Sequence, residues 1–359
     1  MKIVTVVGAR PQFVKAATVS RVIRSTEGLT EILVHTGQHY DANMSQVFFT
    51  QMQIPQPNYH LGIGGSSHGA MTGRMLEKIE EVIIKEKPDV LLVYGDTNST
   101  LAGALAGVKV HIPVAHVEAG LRSFNMNMPE EVNRVLTDQI SKWLLCPTET
   151  AVKNLQNEGI VARTQALISN VGDVMYDAAL FYSEIAKPTD AISSLIQQLS
   201  GNFYLATVHR AENTDDSVHF SNIMDALNTI SETTAVVLPL HPRTRKLLRI
   251  DYCSQVRLIE PVGYFDMITL LSNCKGVFTD SGGLQKESFF FKKPCVTLRN
   301  ETEWYELIAG GYNILAGNQV DKILAAETFI QKTIINEVPP LYGEGNAAEK
   351  IVEVINKMM

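Results

Sequence analysis

Seven polar clusters in this 359-residue chain fall just past short apolar runs, and their residue types suit chemistry on an anionic ligand. Gly8-Ala-Arg-Pro-Gln-Phe-Val-Lys15 sets Arg10 and Lys15 near the start of a helix that has Pro11 in its first turn. Cations beside a helix N-terminus suit an anion. The run is not GxGxxG, so a dinucleotide site is poorly supported. Gly95-Asp96-Thr97-Asn98-Ser99 offers a carboxylate, though Asp96 could equally cap the next helix. In His116-Val-Glu118-Ala-Gly120-Leu-Arg122 an apolar strand ends in an acid, a glycine and a cation. Pro129-Glu130-Glu131-Val-Asn133-Arg134 reads either as a further acid source or as an ordinary helix start.

Three more clusters follow in the second half. Thr207-Val-His209-Arg210-Ala-Glu212-Asn213 carries the side chain best suited to proton transfer near neutral pH. His241-Pro242-Arg243 also follows a strand. Thr279-Asp280-Ser281-Gly282-Gly283-Leu-Gln285-Lys-Glu287 reads as strand, turn and helix. Its glycines let backbone N–H groups approach phosphate oxygens with a helix dipole behind them. Ser281 can add a hydroxyl donor, and Glu287 could take both hydroxyls of a ribose. Metal signatures, a GxSxG elbow and a Walker P-loop are missing, and the nine histidines show no ligand spacing.

The elements that must hold these clusters are an alternating series. Ile3–Val7, Ile32–Thr36, Val90–Tyr94 and Val114–Val117 are continuous apolar runs, as expected of parallel strands buried on both faces. Arg134–Trp143 reads as a helix, Leu144–Pro147 as a strand, and Thr148 as the cap of another helix. The pattern restarts with Phe203–Val208, Ala235–Leu238, Arg257–Ile259, Val277–Thr279 and Cys295–Leu298. The expected architecture is α/β with two Rossmann-like domains and a ligand cleft at the carboxyl ends of both sheets. The expected division is residues 1–170, residues 171–343, and residues 344–359 as a last helix crossing back onto the first domain. The boundary is set near Ser169–Asp173, and Tyr342–Asn346 is a Gly-rich break.

Composition narrows the ligand class. Hydrophobic residues make up 45% and charged residues 19%, so the chain can fill a core. A net charge of −7 argues against a general nucleic-acid binder, so phosphates need locally placed Arg and Lys. Cys146, Cys253, Cys274 and Cys295 form no CxxC pair and are expected to be buried thiols. No apolar run reaches a membrane span and the first residues do not make a signal peptide, so the cytoplasm is the expected location.

Taken together, the motifs GARPQFVK, YGDTNST, HVEAGLR, MPEEVNR, TVHRAEN, LPLHPR, TDSGGLQKE and KPCVTLRNETEW resemble, in order and over essentially the whole chain, the non-hydrolysing UDP-N-acetylglucosamine 2-epimerase family. That resemblance implies the GT-B fold, a UDP-sugar substrate and a homodimer; no cofactor and no membrane or nucleic-acid partner are expected, from the chemistry below, the apolar-run lengths and the net charge. Asp96, Glu118 and Glu130 match its acidic proton-transfer residues, and His209 its catalytic histidine. Arg10 and Lys15 match residues near the diphosphate; Ser281, Gly282, Gly283 and Glu287 match the UDP-binding turn and ribose ligand. Arg122, Arg210, His241, Arg243 and Arg299, within the same motifs, are expected among the substrate-binding residues.

Two departures bear on the substrate. Gln38-His39-Tyr40-Asp41-Ala42-Asn43-Met44-Ser45-Gln46 stands where members using plain UDP-N-acetylglucosamine read approximately QHREMLDQ, which puts their activating allosteric site in doubt here. Arg122-Ser-Phe-Asn-Met-Asn-Met-Pro129 replaces a Trp-Pro-containing stretch. Both look like the subgroup acting on UDP-2,3-diacetamido-2,3-dideoxyglucuronate, a precursor of surface polysaccharides. UDP-N-acetylglucosamine is the alternative substrate, and a GT-B glycosyltransferase or a non-catalytic UDP-sugar sensor the alternative classes. The C2 hydrogen of an N-acetylhexosamine has no adjacent carbonyl to acidify it. Loss of UDP from C1 as that proton leaves, then re-addition, inverts C2 without a cofactor.

Overall fold

The computed structural model describes residues 1–38, 49, 52–248 and 255–357. Cys253 and all but Gln38 of the segment 38–46 lie outside the described residues. The chain divides into two compact units, residues 1–178 with 340–359, and residues 179–339.

The first unit holds a seven-stranded parallel sheet: β1 (Lys2–Val7), β2 (Thr30–His35), β3 (Tyr59–His60), β4 (Val90–Tyr94), β5 (Val114–Val117), β6 (Trp143–Cys146) and β7 (Leu167–Asn170), in the spatial order β3-β2-β1-β4-β5-β6-β7. The order reverses between β1 and β4, the switch point where open α/β sheets bind ligands. Strands β4, β5 and β6 are buried along their whole length, which is why their sequences are unbroken apolar runs. On one face Val4, Val6, Leu91 and Val93 pack with Met75 and Ile79 of helix His68–Glu86 and the alanines of helix Asn98–Lys109. Gly107 permits that last helix to sit close, because a Cβ there would lie 2.9 Å from Leu91 Cδ2.

The helix expected at Arg134–Trp143 runs instead from Pro129 to Ile140, and Trp143 opens β6 with no exposed surface. Proline at the first turn starts it early, and Ser141 leaves the helical region and ends it. Thr148 caps helix Glu149–Asn157 by accepting from Ala151 N. Later, Gly172 and Gly343, both at positive φ, meet back to back, so that a Cβ on Gly172 would lie 3.2 Å from Gly343 Cα. The two Gly breaks of the sequence are therefore one crossing point. Beyond it Asp177 accepts from the amides of Ala347 and Ala348, at 3.1 and 2.7 Å, capping helix Ala347–Lys357. That helix packs on helix Arg10–Ser25. Because Asp177 makes this tie, the first unit runs to Ala178, a few residues past Ser169–Asp173.

The second unit repeats the scheme with six parallel strands: β8 (Phe203–Thr207), β9 (Ala235–Pro239), β10 (Arg257–Ile259), β11 (Gly276–Thr279), β12 (Cys295–Thr297) and β13 (Asn313–Leu315), ordered β10-β9-β8-β11-β12-β13. Its switch point lies between β8 and β11. Alternate residues of β8 feed two cores, with Phe203 and Leu205 in one and Tyr204 and Ala206 in the other. Cys146, Cys274 and Cys295 are buried and unbridged. Burial pushes the Cys274 and Cys295 thiols up to about 12, which leaves them inert at neutral pH. Among the described residues no helix is long and apolar enough to cross a membrane.

Candidate active site

In the first unit the switch-point turns are locked by one glutamine. Gln12 Oε1 accepts from Gly8 N and Ala9 N, at 2.8 and 3.1 Å. Its amide donates to Tyr94 O at 2.7 Å and Thr100 Oγ1 at 3.0 Å, tying the end of β1 to the end of β4. Gly8 has no room for a side chain, since a Cβ would fall 2.0 Å from Ser99 Oγ. Arg10 and Lys15 open the helix that follows.

Lys15 Nζ pairs with Glu118 Oε2. Glu118 is almost fully buried and sits at φ +69°, a left-handed conformation that costs a non-glycine residue about 1–3 kcal/mol. Its amide, bonded to Leu145 O at 3.0 Å, and the lysine pair hold it there. Asp96 does not cap the next helix. Thr97 does, accepting from Thr100 N, and the Asp96 carboxylate pairs with Arg134 Nη2. Arg134 also bonds Glu131 Oε2 at 2.8 Å. Glu131 in turn accepts from Ser123 N and Phe124 N, at 3.0 and 2.8 Å. Its neighbour Glu130 is exposed. Of the two adjacent acids, one is thus consumed by the fold and the other left available.

Arg122 does not join this group. Its guanidinium, with 1% of the side chain exposed, is spent on Glu158 at 2.6 and 2.9 Å and on Asp138 at 2.7 Å. The expected binding arginine is instead an internal tie. Burial is opposed by both carboxylates, and the net result raises its pKa. His116, also quoted in that motif, is fully buried against Asp138 and Gly95.

In the second unit the site is built mainly from backbone. Asp280, with no exposed surface, accepts from His209 N (2.9 Å), Arg210 N (2.9 Å) and Asn213 Nδ2 (3.2 Å). It thereby fixes the turn after β8 to the turn after β11. Asp280 Oδ1 also lies 3.3 Å from His209 Nδ1, which in a neutral ring puts the proton on Nδ1 and leaves Nε2 as acceptor. Burial lowers the His209 pKa; Asp280 opposes this, while His241, Arg210 and Arg243 reinforce it. His241, 5.3 Å away ring to ring, is lowered too, by burial and then by Arg243. Its Nδ1 accepts from Arg243 N at 3.2 Å.

Ser281 caps helix Gly282–Phe290, accepting from Leu284 N at 3.4 Å. Gly282 faces the Glu303 carboxylate; a Cβ there would lie 2.3 Å from Glu303 Oε1 and 3.4 Å from Arg210 Nη2. Gly283 is exposed, with open space around its Cα. Glu287 lies in the second turn of the same helix. Arg299 is buried, pairing with Glu303 at 3.0 Å and approaching Glu212 at 3.8 Å. A pocket of about 270 Å³ adjoins it, lined also by Asn213, His219, Asn300 and Glu301. That is below the usual range for small-molecule pockets and too small for a whole nucleotide-sugar.

The first unit therefore brings together Lys15 with Glu118, and Asp96 with Arg134. The second brings together His209, Arg210, His241 and Arg243 around Asp280, with Ser281 and Gly282 one turn away. Glu131, Asp138, Asp280 and Glu303 carry much of this geometry and were not singled out by sequence reasoning. Each stood inside a motif or a helix pattern where an acid reads as solvated; burial distinguishes Glu131, Asp138 and Asp280, and the Arg299 pair distinguishes Glu303.

Two doubly wound parallel sheets with anion-receptive turns at their switch points define an α/β protein of two Rossmann-like units. A family model described as UDP-N-acetylglucosamine 2-epimerase matches residues 21–356. The chain is 56% identical, over 100% of both sequences, to UDP-2,3-diacetamido-2,3-dideoxy-D-glucuronate 2-epimerase of Pseudomonas aeruginosa. It is 41% identical, over 99% of both, to UDP-N-acetylglucosamine 2-epimerase of Methanocaldococcus jannaschii. The crystal structure of the M. jannaschii enzyme with UDP-GlcNAc and UDP superposes with a TM-score of 0.88 over 99% of this chain and 100% of that one, at 40% identity. The Neisseria meningitidis enzyme bound to UDP-GlcNAc also gives 0.88, at 32% identity, over 99% of this chain and 100% of that one. The chain belongs to the UDP-N-acetylglucosamine 2-epimerase family.

Proposed function

We propose that this protein inverts C2 of UDP-2,3-diacetamido-2,3-dideoxyglucuronate, giving the mannuronate epimer, by eliminating and re-adding UDP. The observation that carries the substrate is the 56% full-length identity to an enzyme of that specificity, against 41% to the M. jannaschii UDP-N-acetylglucosamine enzyme. The mechanism is supported by Asp96, Glu118 and a neutral His209 just past strand ends, and by exposed Glu130 at the start of helix Pro129–Ile140. In the first half-reaction the C2 proton passes to a base while the C1–O bond breaks and its electron pair leaves with UDP. The intermediate is a glycal with a C1–C2 double bond. UDP then returns to C1 as a proton is delivered to the opposite face of C2.

Asp96, Glu118 and Glu130 would share the base and acid work, which typically contributes about 10²–10⁴-fold. Lys15 beside Glu118 and Arg134 beside Asp96 hold those carboxylates in place. His209, neutral in the free protein, would assist proton transfer or receive the leaving phosphate. Arg10, Arg210, Arg243, Ser281, Gly282, Gly283 and Glu287 would hold UDP, with N–H groups and cations stabilising the departing diphosphate. We extend the proposal to a cytoplasmic homodimer serving surface polysaccharide synthesis, as the family resemblance implies; sedimentation equilibrium checks the dimer.

Incubating the protein with each of the two UDP-sugars in deuterated water tests the reading. The expected result is a C2 epimer that carries deuterium at C2, formed faster from the diacetamido uronate. Epimer without deuterium would rule out the elimination. Preference for UDP-N-acetylglucosamine would transfer the assignment to that substrate, and irreversible release of free sugar and UDP would make the protein a hydrolase.

A further inference from the structure

Behind the two acid-bearing turns lies a buried cluster of His116, Asp138 and Arg122 that the proposed mechanism does not use. His116 Nε2 lies 2.7 Å from Gly95 O, and His116 Nδ1 lies 2.7 Å from Asp138 Oδ1. Asp138 Oδ2 accepts from Gly120 N at 3.1 Å and meets Arg122 Nη1 at 2.7 Å. Arg122 completes the group on Glu158. A backbone carbonyl can only accept, so Nε2 must carry a proton. Asp138 is thus shared between the His116 ring, the Gly120 amide and Arg122, which leaves none of these buried polar groups without a partner.

The group that His116 holds is critically placed. Gly95 has φ +64° and donates to Val117 O at 2.9 Å. A Cβ on Gly95 would stand 3.2 Å from Glu118 Oε2 and 3.8 Å from Lys15 Nζ. The next residue is Asp96, paired with Arg134. Gly95 is thus the spacer between the two carboxylates, and its carbonyl is fixed from behind. We propose that His116, oriented by Asp138, is a positioning residue that sets the spacing of Asp96 and Glu118 through the Gly95 carbonyl. The inference rests on the proposed epimerase chemistry for its catalytic consequence and on geometry alone for the positioning.

Asparagine at 116 imitates Nδ1 and keeps Asp138 while releasing Gly95; glutamine imitates Nε2 and can keep Gly95. His116→Asn should lower kcat by about 10–100-fold with UDP affinity unchanged, the scale of an approximately 1 Å misplacement. His116→Gln should recover most of that loss. Equal losses in both variants, matched by equal falls in Tm, would mean that the cluster is only structural. Wild-type kcat in His116→Asn would overturn the proposal directly. If neither variant folds, Asp138→Asn decides: its amide can donate to a neutral His116 Nδ1, keeping Nε2–H on Gly95, so kcat should stay near wild type. A fall of about 100-fold or more there, the lower end of the range of a lost acid–base group, would overturn the proposal. Wild-type protein run in parallel reads the epimerase assignment separately. A crystal structure of His116→Asn or Asp138→Asn tests the positioning whatever the reaction. In the first, Gly95–Asp96 should move relative to Glu118 by more than about 0.5 Å, and in the second it should not.

Discussion

The two units share a topology and differ in how each treats charge at its switch point. In the first, side-chain carboxylates, Glu118 nearly buried and Asp96 part-exposed, are met by cations from other elements: Lys15 on Glu118, Arg134 on Asp96. In the second, the one carboxylate at the centre, Asp280, is wholly buried and faces inward to backbone amides, while the groups turned outward are histidines, arginines and a glycine turn. A duplicated frame therefore holds opposite chemistry. On the proposed assignment the first unit would move protons and the second would receive the anion.

The sharpest way to break that contrast is to remove an acid. Asp96→Asn or Glu118→Gln should cut kcat by at least about 100-fold while UDP still binds, measured by epimer formation and by calorimetric titration with UDP. A loss of UDP affinity with kcat preserved would reverse the roles of the two units. The complementary change is Gly282→Ala. The added methyl must displace the Glu303 carboxylate from the helix N-terminus, so UDP should bind about 10-fold more weakly, with a smaller change in kcat. A variant that binds UDP normally would remove this turn from the receptor.

A third test concerns protons on the second unit. With its pKa lowered below 6.5, His209 is neutral at pH 7 in the free protein. The acidic limb of kcat/KM should accordingly lie below pH 6.5 and vanish in His209→Asn; a limb above 6.5 would contradict the burial argument. The smallest effect is expected far from either site. Burial pushes Asp177 up to about 6 from its usual 3.8, against the two amide bonds that favour its ionised form. The folded state then binds more protons than the unfolded state between those values, so this group's contribution to stability falls as pH rises from about 4 to about 6. Asp177→Asn should flatten that slope, as urea titrations at pH 4.5 and pH 7 would register.

Much of the frame was readable because parallel strands covered on both faces leave continuous apolar runs. Val90–Tyr94, Val114–Val117 and Arg257–Ile259 have the ends the sequence suggests. Strands too short to show a period escaped, as with Tyr59–His60 and Asn313–Leu315. Trp143 was drawn into a helix by the amphipathic residues before it. At the sites, residue types located the turns but not their wiring. Glu130 and Glu131 are indistinguishable by type, yet only one is buried against Arg134. Arg122 looks like a ligand-binding cation until Glu158, distant in sequence, is found on its guanidinium. Arg122–Glu158 and Arg134–Asp96 join residues more than thirty positions apart, which spacing does not encode.

Helix Ala347–Lys357 carries a consequence for biosynthesis. Its Ile351, Val352 and Ile355 are buried, and its N-terminus is capped by Asp177. Those residues leave the ribosome only after all of 179–339 has been made. The contiguous second unit can fold during translation, whereas the first, begun earlier, must wait with an open flank along helix Arg10–Ser25. Each of those side chains is worth about 1.5–3 kcal/mol when covered. The portion of the molecule translated first is therefore the last to be finished.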